Sequence, residues 1–412
     1  MRNILIFLLF SLNLLADVDA VLTIEKEVDT KASLSLIEDT ATGASSAYHE
    51  RMFGLLINDI KMSGHFNVDP QLHRAPFADG MTPPELHDRE YLLKYSFAPS
   101  ATQLNVKLVR TYDNQVVFQK VYGVNAPSRF PFLAHNAIVE INGVLGYEDV
   151  SWMNRYILFS KYTASRSSEI WVADYTLQFA SLLIRGGLNL FPKWANGQQS
   201  SFYYTSYNEA LPTLYRVDMS SGGRTAIARS QGMLVCSDVS SDGSRLLLTM
   251  APNGQPDIYE LNVNTGSKRQ ITQFGGIDVN GKYIGDESRI VFVSDRMGRP
   301  NIYSQPIGSS LVSKVARYGA NNSSCEAFDK YILYSVREGG ASNIYLGSID
   351  SSYIRPLTSN GSNQFPRFST DGRVILYVKQ NRGNNNIGYM NLATKQSALY
   401  PMVGGDIQSI DW

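Results

Sequence analysis

The chain has 412 residues, and its 37 basic side chains balance its 37 acidic ones. No electrostatic footprint remains for nucleic acid or for an anionic membrane surface. The length admits two domains, or one large β architecture with an appendage, and 24 tyrosines with 32 glycines suit many strands joined by tight turns.

In chain order, residues 1–20 ("MRNILIFLLFSLNLLADVDA") carry one early charge, Arg2, an apolar run from Ile4 to Leu15, then small and polar residues. This pattern predicts a secretory signal peptide cleaved after Ala20, with Ala16 as the alternative. The run is too short to span a bilayer, and no cysteine follows it to accept a lipid. The expectation is an exported, soluble, monomeric protein with no direct membrane insertion.

Residues 21–146 read as an α/β domain. Met52, Leu56 and Ile60 recur at helical spacing in 47–64, and Leu133, Ala137 and Ile141 do the same in 129–146. Between these helices, 90–97, 102–112 and 115–124 alternate apolar with polar residues and predict a small antiparallel sheet.

From residue 147 the chain repeats. Aromatic residues fall at Trp171, Tyr215, Tyr259, Tyr303, Tyr345 and Tyr389, each 42 or 44 positions after the last. An apolar strand precedes each, as in "FYYTS" (202–206) and "RLLLT" (245–249), and another follows at Ile184, Ile227, Ile271, Val315, Leu357 and Leu399. Asp242-Gly243, Asp371-Gly372 and Asn196-Gly197 mark turns. Several short strands per unit at this period are the mark of a β-propeller, here six-bladed over 147–412. Residues 406–412 ("DIQSIDW") match "LNLFPKW" (188–194) and "SNQFPRF" (362–368), with Trp412 aligned to Trp194 and Phe368. The C-terminal segment is therefore expected to close the ring as the inner strand of the first blade.

Chemistry is thin. The five histidines (His49, His65, His73, His87, His135) precede the repeats. That excludes a histidine-ligated metal or a Ser–His–Asp triad built within the propeller. His65 and His135 sit beside apolar positions and read as structural. Asp238, Asp278 and Glu326 lie near inner strands, but no D-x-D-x-D loop supports a calcium site, no G-x-S-x-G elbow occurs, and no cofactor is expected. Cys236 and Cys325, in matching positions of non-adjacent units, read as buried thiols ahead of a disulfide. Recognition is the alternative to catalysis. The segments leading into the inner strands place Asn189, Gln231, Met233, Asp278, Asn321, Asn322, Asn363 and Gln364 at an expected polar, neutral channel mouth suited to a protein surface or peptide.

The whole pattern resembles the TolB family of the Tol–Pal system. "LLINDIKMSGHFNV" (55–68) is similar to the family's first helix and following strand, and "FLAHNAIVEINGVLG" (132–146) to the helix ahead of its propeller. "SEIWVADY" (168–175) resembles its first-blade hairpin, and "SSDGSRLLL" and "STDGRVILY" its blade repeat. The resemblance implies a non-enzymatic periplasmic scaffold supporting outer-membrane integrity and cell division. It implies a Pal-like peptidoglycan-associated lipoprotein at the propeller mouth, opposite the N-terminal domain or nearly so. It also implies a TolA-like inner-membrane protein paired with an extended N-terminal segment, here "VLTIEKEVDT" (21–30), where Leu22, Ile24 and Val28 could alternate against charges in strand addition. Two other readings stand beside it: an exported propeller enzyme, such as a metal-dependent lactonase or lyase, and a glycan-binding propeller.

Overall fold

The computed structural model describes residues 31–42, 47–78, 83–381, 384–402 and 404–412. The leader and the segment holding Leu22, Ile24 and Val28 lie outside the described residues.

In the N-terminal domain, β1 (Ala32–Asp39), α1 (Ala47–Ser63), β2 (Phe66–Ala75), β3 (Tyr91–Phe97), β4 (Gln103–Arg110), β5 (Gln115–Gly123) and α2 (Pro131–Val144) follow in order. The sheet runs β2-β1-β3-β4-β5, and β1 is parallel to both its neighbours. The expected three-stranded antiparallel sheet is thus a five-stranded mixed one. The parallel pairing of β1 with β2 is reached through α1, the kind of long crossover that parallel strands require. In β1, Leu34, Leu36 and Ile37 are all buried, so it reads as a buried run rather than an alternating strand. The two helices bury the predicted stripes, Met52, Leu56 and Ile60 on α1 and Leu133, Ala137 and Ile141 on α2. Gly64, at φ +87°, ends α1 in the left-handed conformation that a side chain would strain.

Beyond α2 the chain forms four-stranded antiparallel meanders. One runs Asn189–Trp194, Ser201–Ser206, Thr213–Asp218, Arg224–Arg229. The same pattern recurs behind the inner strands Leu234–Val239, Asp278–Ile284, Asn322–Phe328 and Ser362–Phe368. The recurring aromatics occupy third strands, where Tyr303 and Tyr389 are buried between neighbouring sheets. The first set is assembled from both ends of the chain. Ile157–Ala164, Ser167–Ala173 and Ala180–Ile184 are followed on the inner side by Ile407–Asp411, antiparallel to the first of them. The turn into that last strand uses Gly405 at φ +78°, where a Cβ would meet the Tyr162 carbonyl oxygen at 2.5 Å. A single parallel pair, Ser342 with Ser362, also links two adjacent sets.

Candidate functional site

Each inner strand slips its register against the second strand at about the same depth. The shifts fall opposite Tyr203/Thr205 in the second set, and at Cys236/Asp238, Val279/Lys282, Ser323/Cys325, Gln364/Arg367 and Ile407/Ser409 in the others. Four of the strands hold a non-glycine residue at positive φ at the slip: Phe191 (56°), Asn280 (56°), Ser324 (48°) and Phe365 (53°). A β-bulge bends its strand and re-aims the side chains around it. Left-handed geometry at a bulky residue such as phenylalanine is a strain that folds keep mostly at working surfaces.

Just past the bulge, each inner strand sends one charged side chain into the channel: Lys193, Asp238, Lys282, Glu326, Arg367 and Asp411. Signs alternate, and each group meets both neighbours. The separations are 3.6 Å for Lys193–Asp238, 4.0 Å for Lys282–Asp238, 2.8 Å for Lys282–Glu326, 3.3 Å for Arg367–Glu326, 3.5 Å for Arg367–Asp411 and 3.0 Å for Lys193–Asp411. Burial by itself raises a carboxyl pKa, but Lys282, Lys193 and Arg367 hold Glu326 ionised, with its pKa drawn down to about 2. Asp238 moves the other way: burial raises it, and the nearby Glu326 charge adds to that against Lys282 and Lys193. Burial lowers the Lys193 pKa, yet Asp411, Glu326 and Asp238 outweigh it and raise it overall. The ring is neutral in sum and every member is ion-paired on both sides, which is what permits so many charges inside a fold.

On the side of the ring where the inner strands begin lies a cup of about 340 Å³. Its walls are mostly apolar: Phe191, Val235, Ile277, Val279 and Phe365, with Met233 at the lip. Lys193 and Arg367 of the ring form part of its floor. The mouth is thus apolar rather than the neutral polar surface expected from sequence.

The expected mouth residues divide. Met233 is 41% exposed and lines the cup, Gln231 is exposed, and Asn321 and Gln364 are half-buried. Asn189, Asp278, Asn322 and Asn363 are buried at the first or second position of their inner strands. The three asparagines donate from Nδ2 to carbonyls of the preceding linker: Gly186 at 2.8 Å, Tyr318 at 2.8 Å and Asn360 at 2.8 Å. Asp278 accepts both hydrogen bonds from Arg296 Nη2, at 3.0 and 2.9 Å. The three asparagines fasten one blade to the next, while Asp278 ties its inner strand to the loop after the second strand of its own set, since a buried amide or carboxylate must find partners. Sequence reasoning noted Asp238 and Glu326 near the inner strands, only in setting aside a calcium site, and passed over the cup walls and the other four members of the ring. A usable signal existed for the ring, because its members alternate in sign and recur 41 to 45 residues apart.

The N-terminal domain meets the propeller at the other end of the inner strands. Arg51 of α1 donates to Gln178 Oε1 at 3.0 Å, in a turn between a third and a fourth strand. Deep in this junction, His135 Nδ1 lies 2.6 Å from Asp59 Oδ2, and Nε2 lies 3.3 Å from Asp174 Oδ2, with all three side chains fully buried. Tyr175 donates to Asp59, Asn58 Nδ2 donates to the Tyr175 hydroxyl at 2.8 Å, and Tyr400 donates to Asn58 Oδ1 at 2.7 Å. Burial would lower the imidazole pKa, but the Asp59 charge and the hydrogen bonds with Asp174 and Asp59 raise it to about 9. His135 is therefore an imidazolium between two carboxylates, and the other expected structural histidine, His65, stacks on Tyr147 at 4.8 Å. Cys236 and Cys325 are free and buried. Among the described residues, no group of three or more histidine, cysteine or carboxylate side chains is placed to hold a metal ion.

The TolB beta propeller domain family matches residues 153–412. The chain belongs to the TolB family. It is 41% identical to the Tol-Pal system protein TolB of Wolinella succinogenes over 424 aligned positions, covering all of both chains. It is 38% identical to the protein of the same name from Campylobacter jejuni, covering 92% of each. For the TolB of Helicobacter pylori the identity is 36%, again over the full length of both. The crystal structure of TolB from Acinetobacter baumannii superposes with a TM-score of 0.76 at 20% identity, covering 93% of this chain and 96% of that one, a likeness of fold.

Proposed function

We propose that this TolB-family protein is a non-catalytic periplasmic docking component of a Tol–Pal system. It takes a Pal-like peptidoglycan-associated lipoprotein at the channel mouth and a TolA-like inner-membrane protein through residues 21–30. The names of its full-length relatives support the system. The observation that carries the docking role is the cup: an apolar concavity bounded by a ring of mutually ion-paired charges, with no histidine anywhere in the repeats. A rigid apolar cup offers shape and desolvation, and the residues around it offer no general base paired with a nucleophile. No helix among the described residues is long and apolar enough to cross a membrane, and residues 1–20 would direct export.

The test is affinity capture from detergent-solubilised cell envelope with the mature protein as bait. Recovery of a peptidoglycan-associated lipoprotein is expected, and recovery of an inner-membrane TolA-like protein should depend on residues 21–30. Failure to recover either protein at low ionic strength would overturn the assignment.

A further inference from the structure

One arc of the mouth combines exposed arginines with exposed apolar and aromatic side chains. Arg299 lies in the 295–300 loop, Arg317 in the linker ahead of Asn322–Phe328, and Arg337 near the hairpin between Tyr331–Glu338 and Ala341–Ser348. In an antiparallel meander these loops and linkers all lie at the end where inner strands begin, which is the cup end. All three arginines are exposed, and no carboxylate among the described residues stands within ion-pair distance of any of them. Arg166 and Arg185, farther round the same rim, are likewise exposed without a carboxylate partner among the described residues, whereas Arg74 and Arg373 away from it have one. Between the arginines, Met297 is 75% exposed and Tyr318 43% exposed. Glu338, the exposed carboxylate of the arc, accepts a hydrogen bond from Tyr318 at 3.2 Å.

Unpaired arginines interleaved with an exposed methionine and tyrosine, beside an apolar cup, have the composition of an unoccupied protein interface. Such interfaces enrich arginine, aromatic residues and methionine over lysine. The charge here also has a direction, although the whole chain is neutral. We infer that this arc receives an acidic face of the partner protein while a single apolar side chain projecting from that face seats in the cup. The inference rests on the docking role proposed above and names the chemistry of the partner surface. The two parts act on different steps of binding. The arginines speed encounter through long-range attraction, which salt screens. The cup holds the seated side chain by apolar burial, which salt does not screen, and so governs escape.

The experiment measures association and dissociation of the mature protein with the purified soluble domain of the peptidoglycan-associated lipoprotein at roughly 50 and 300 mM NaCl, between which the Debye length falls from about 14 Å to about 6 Å. The variants are R299E/R317E/R337E on the arc and S323W, which fills the cup from an exposed lining position. Wild type should associate more slowly at high salt. The triple variant should associate about tenfold more slowly at low salt and lose most of that salt dependence. The S323W variant should keep wild-type association and salt dependence but dissociate about tenfold faster or more. If the lipoprotein binds, yet the triple variant matches wild type at both salts, the acidic-face inference is wrong while the docking role stands. If wild type does not bind the lipoprotein at all, the docking role itself fails. Arginine-dependent binding to phosphatidylglycerol vesicles without lipoprotein binding would make the arc a lipid contact and overturn the inference.

Discussion

Asp411 places its Oδ1 3.0 Å from the Nζ of Lys193 across 218 positions of sequence, while its Oδ2 accepts the Trp194 backbone N–H at 2.8 Å. One carboxylate therefore holds together the last strand of the chain and Asn189–Trp194, the inner strand of the second set. Around it, Ile407, Ile410 and Trp412 are buried. Burial of each such side chain contributes on the order of 1.5–3 kcal/mol, so the segment's share rivals the roughly 5–15 kcal/mol net stability of a whole domain. Deleting residues 406–412 should abolish cooperative unfolding. The milder D411N should cost about 3–5 kcal/mol, because it leaves Lys193 and Arg367 without their shared counter-charge. Urea unfolding with intrinsic fluorescence measures both, and a wild-type midpoint for D411N would contradict the latch.

The ring should show non-additive energetics. K282M removes the cation shared by Asp238 and Glu326, leaving two buried carboxylates facing one another, and should destabilise by about 3–5 kcal/mol. In K282M/E326Q the repulsion is relieved, so the double variant should be more stable than K282M alone. A double-mutant cycle from chemical denaturation gives the coupling directly. Simple additivity would mean that the ring members do not sense one another.

The junction histidine sets an alkaline limit. His135 has its pKa raised to about 9 in the folded protein, above the ordinary value of 6.5. A raised pKa means that the folded state holds the proton more tightly. Its stabilisation is therefore complete below about pH 6.5 and is lost as pH rises toward and through about 9. The facing charges are Asp59 from α1 and Asp174 from the turn after Ser167–Ala173. The full effect is on the order of 3 kcal/mol. Thermal melts should fall steadily between pH 6.5 and 9.5 in wild type, and H135Q should be less stable at neutral pH with that slope flattened. Equal slopes in the two proteins would show that another group carries the dependence.

Two mouth residues should separate folding from docking. Asn322 is fully buried and ties a linker to its blade, so N322A should cost about 1–3 kcal/mol of stability. Met233 is at the lip of the cup and partly exposed. M233E should leave the melting temperature near wild type and weaken capture of the lipoprotein. Comparing melting with capture for both variants tests the split; a destabilised M233E that binds normally would reverse it.

What the sequence made legible follows from what repeats locally. Tyr215, Tyr259 and Tyr303 recur because each blade must fill the same gap against its neighbour, so periodicity revealed the propeller. The helices of the N-terminal domain were equally readable from Met52, Leu56 and Ile60. The parallel strand β1 was not, since its pairing with Phe66–Ala75 and Tyr91–Phe97 depends on tertiary context rather than alternation. The buried asparagines misled for a related reason. Asn322 and Asn363 look like rim residues because asparagine favours turns, yet their amides are consumed in fastening linkers. The Asp59–His135–Asp174 cluster draws on three distant segments, and no spacing within any one of them announces it.

The alternation of charge around the channel also carries a rule of arithmetic. A circle of alternating signs closes without a clash only when its members are even in number. Duplicating or losing one blade would set two like charges side by side in a buried channel. The side chains from Lys193 to Asp411 thereby act as a parity check on the ring, admitting changes by pairs of blades and penalising changes by one.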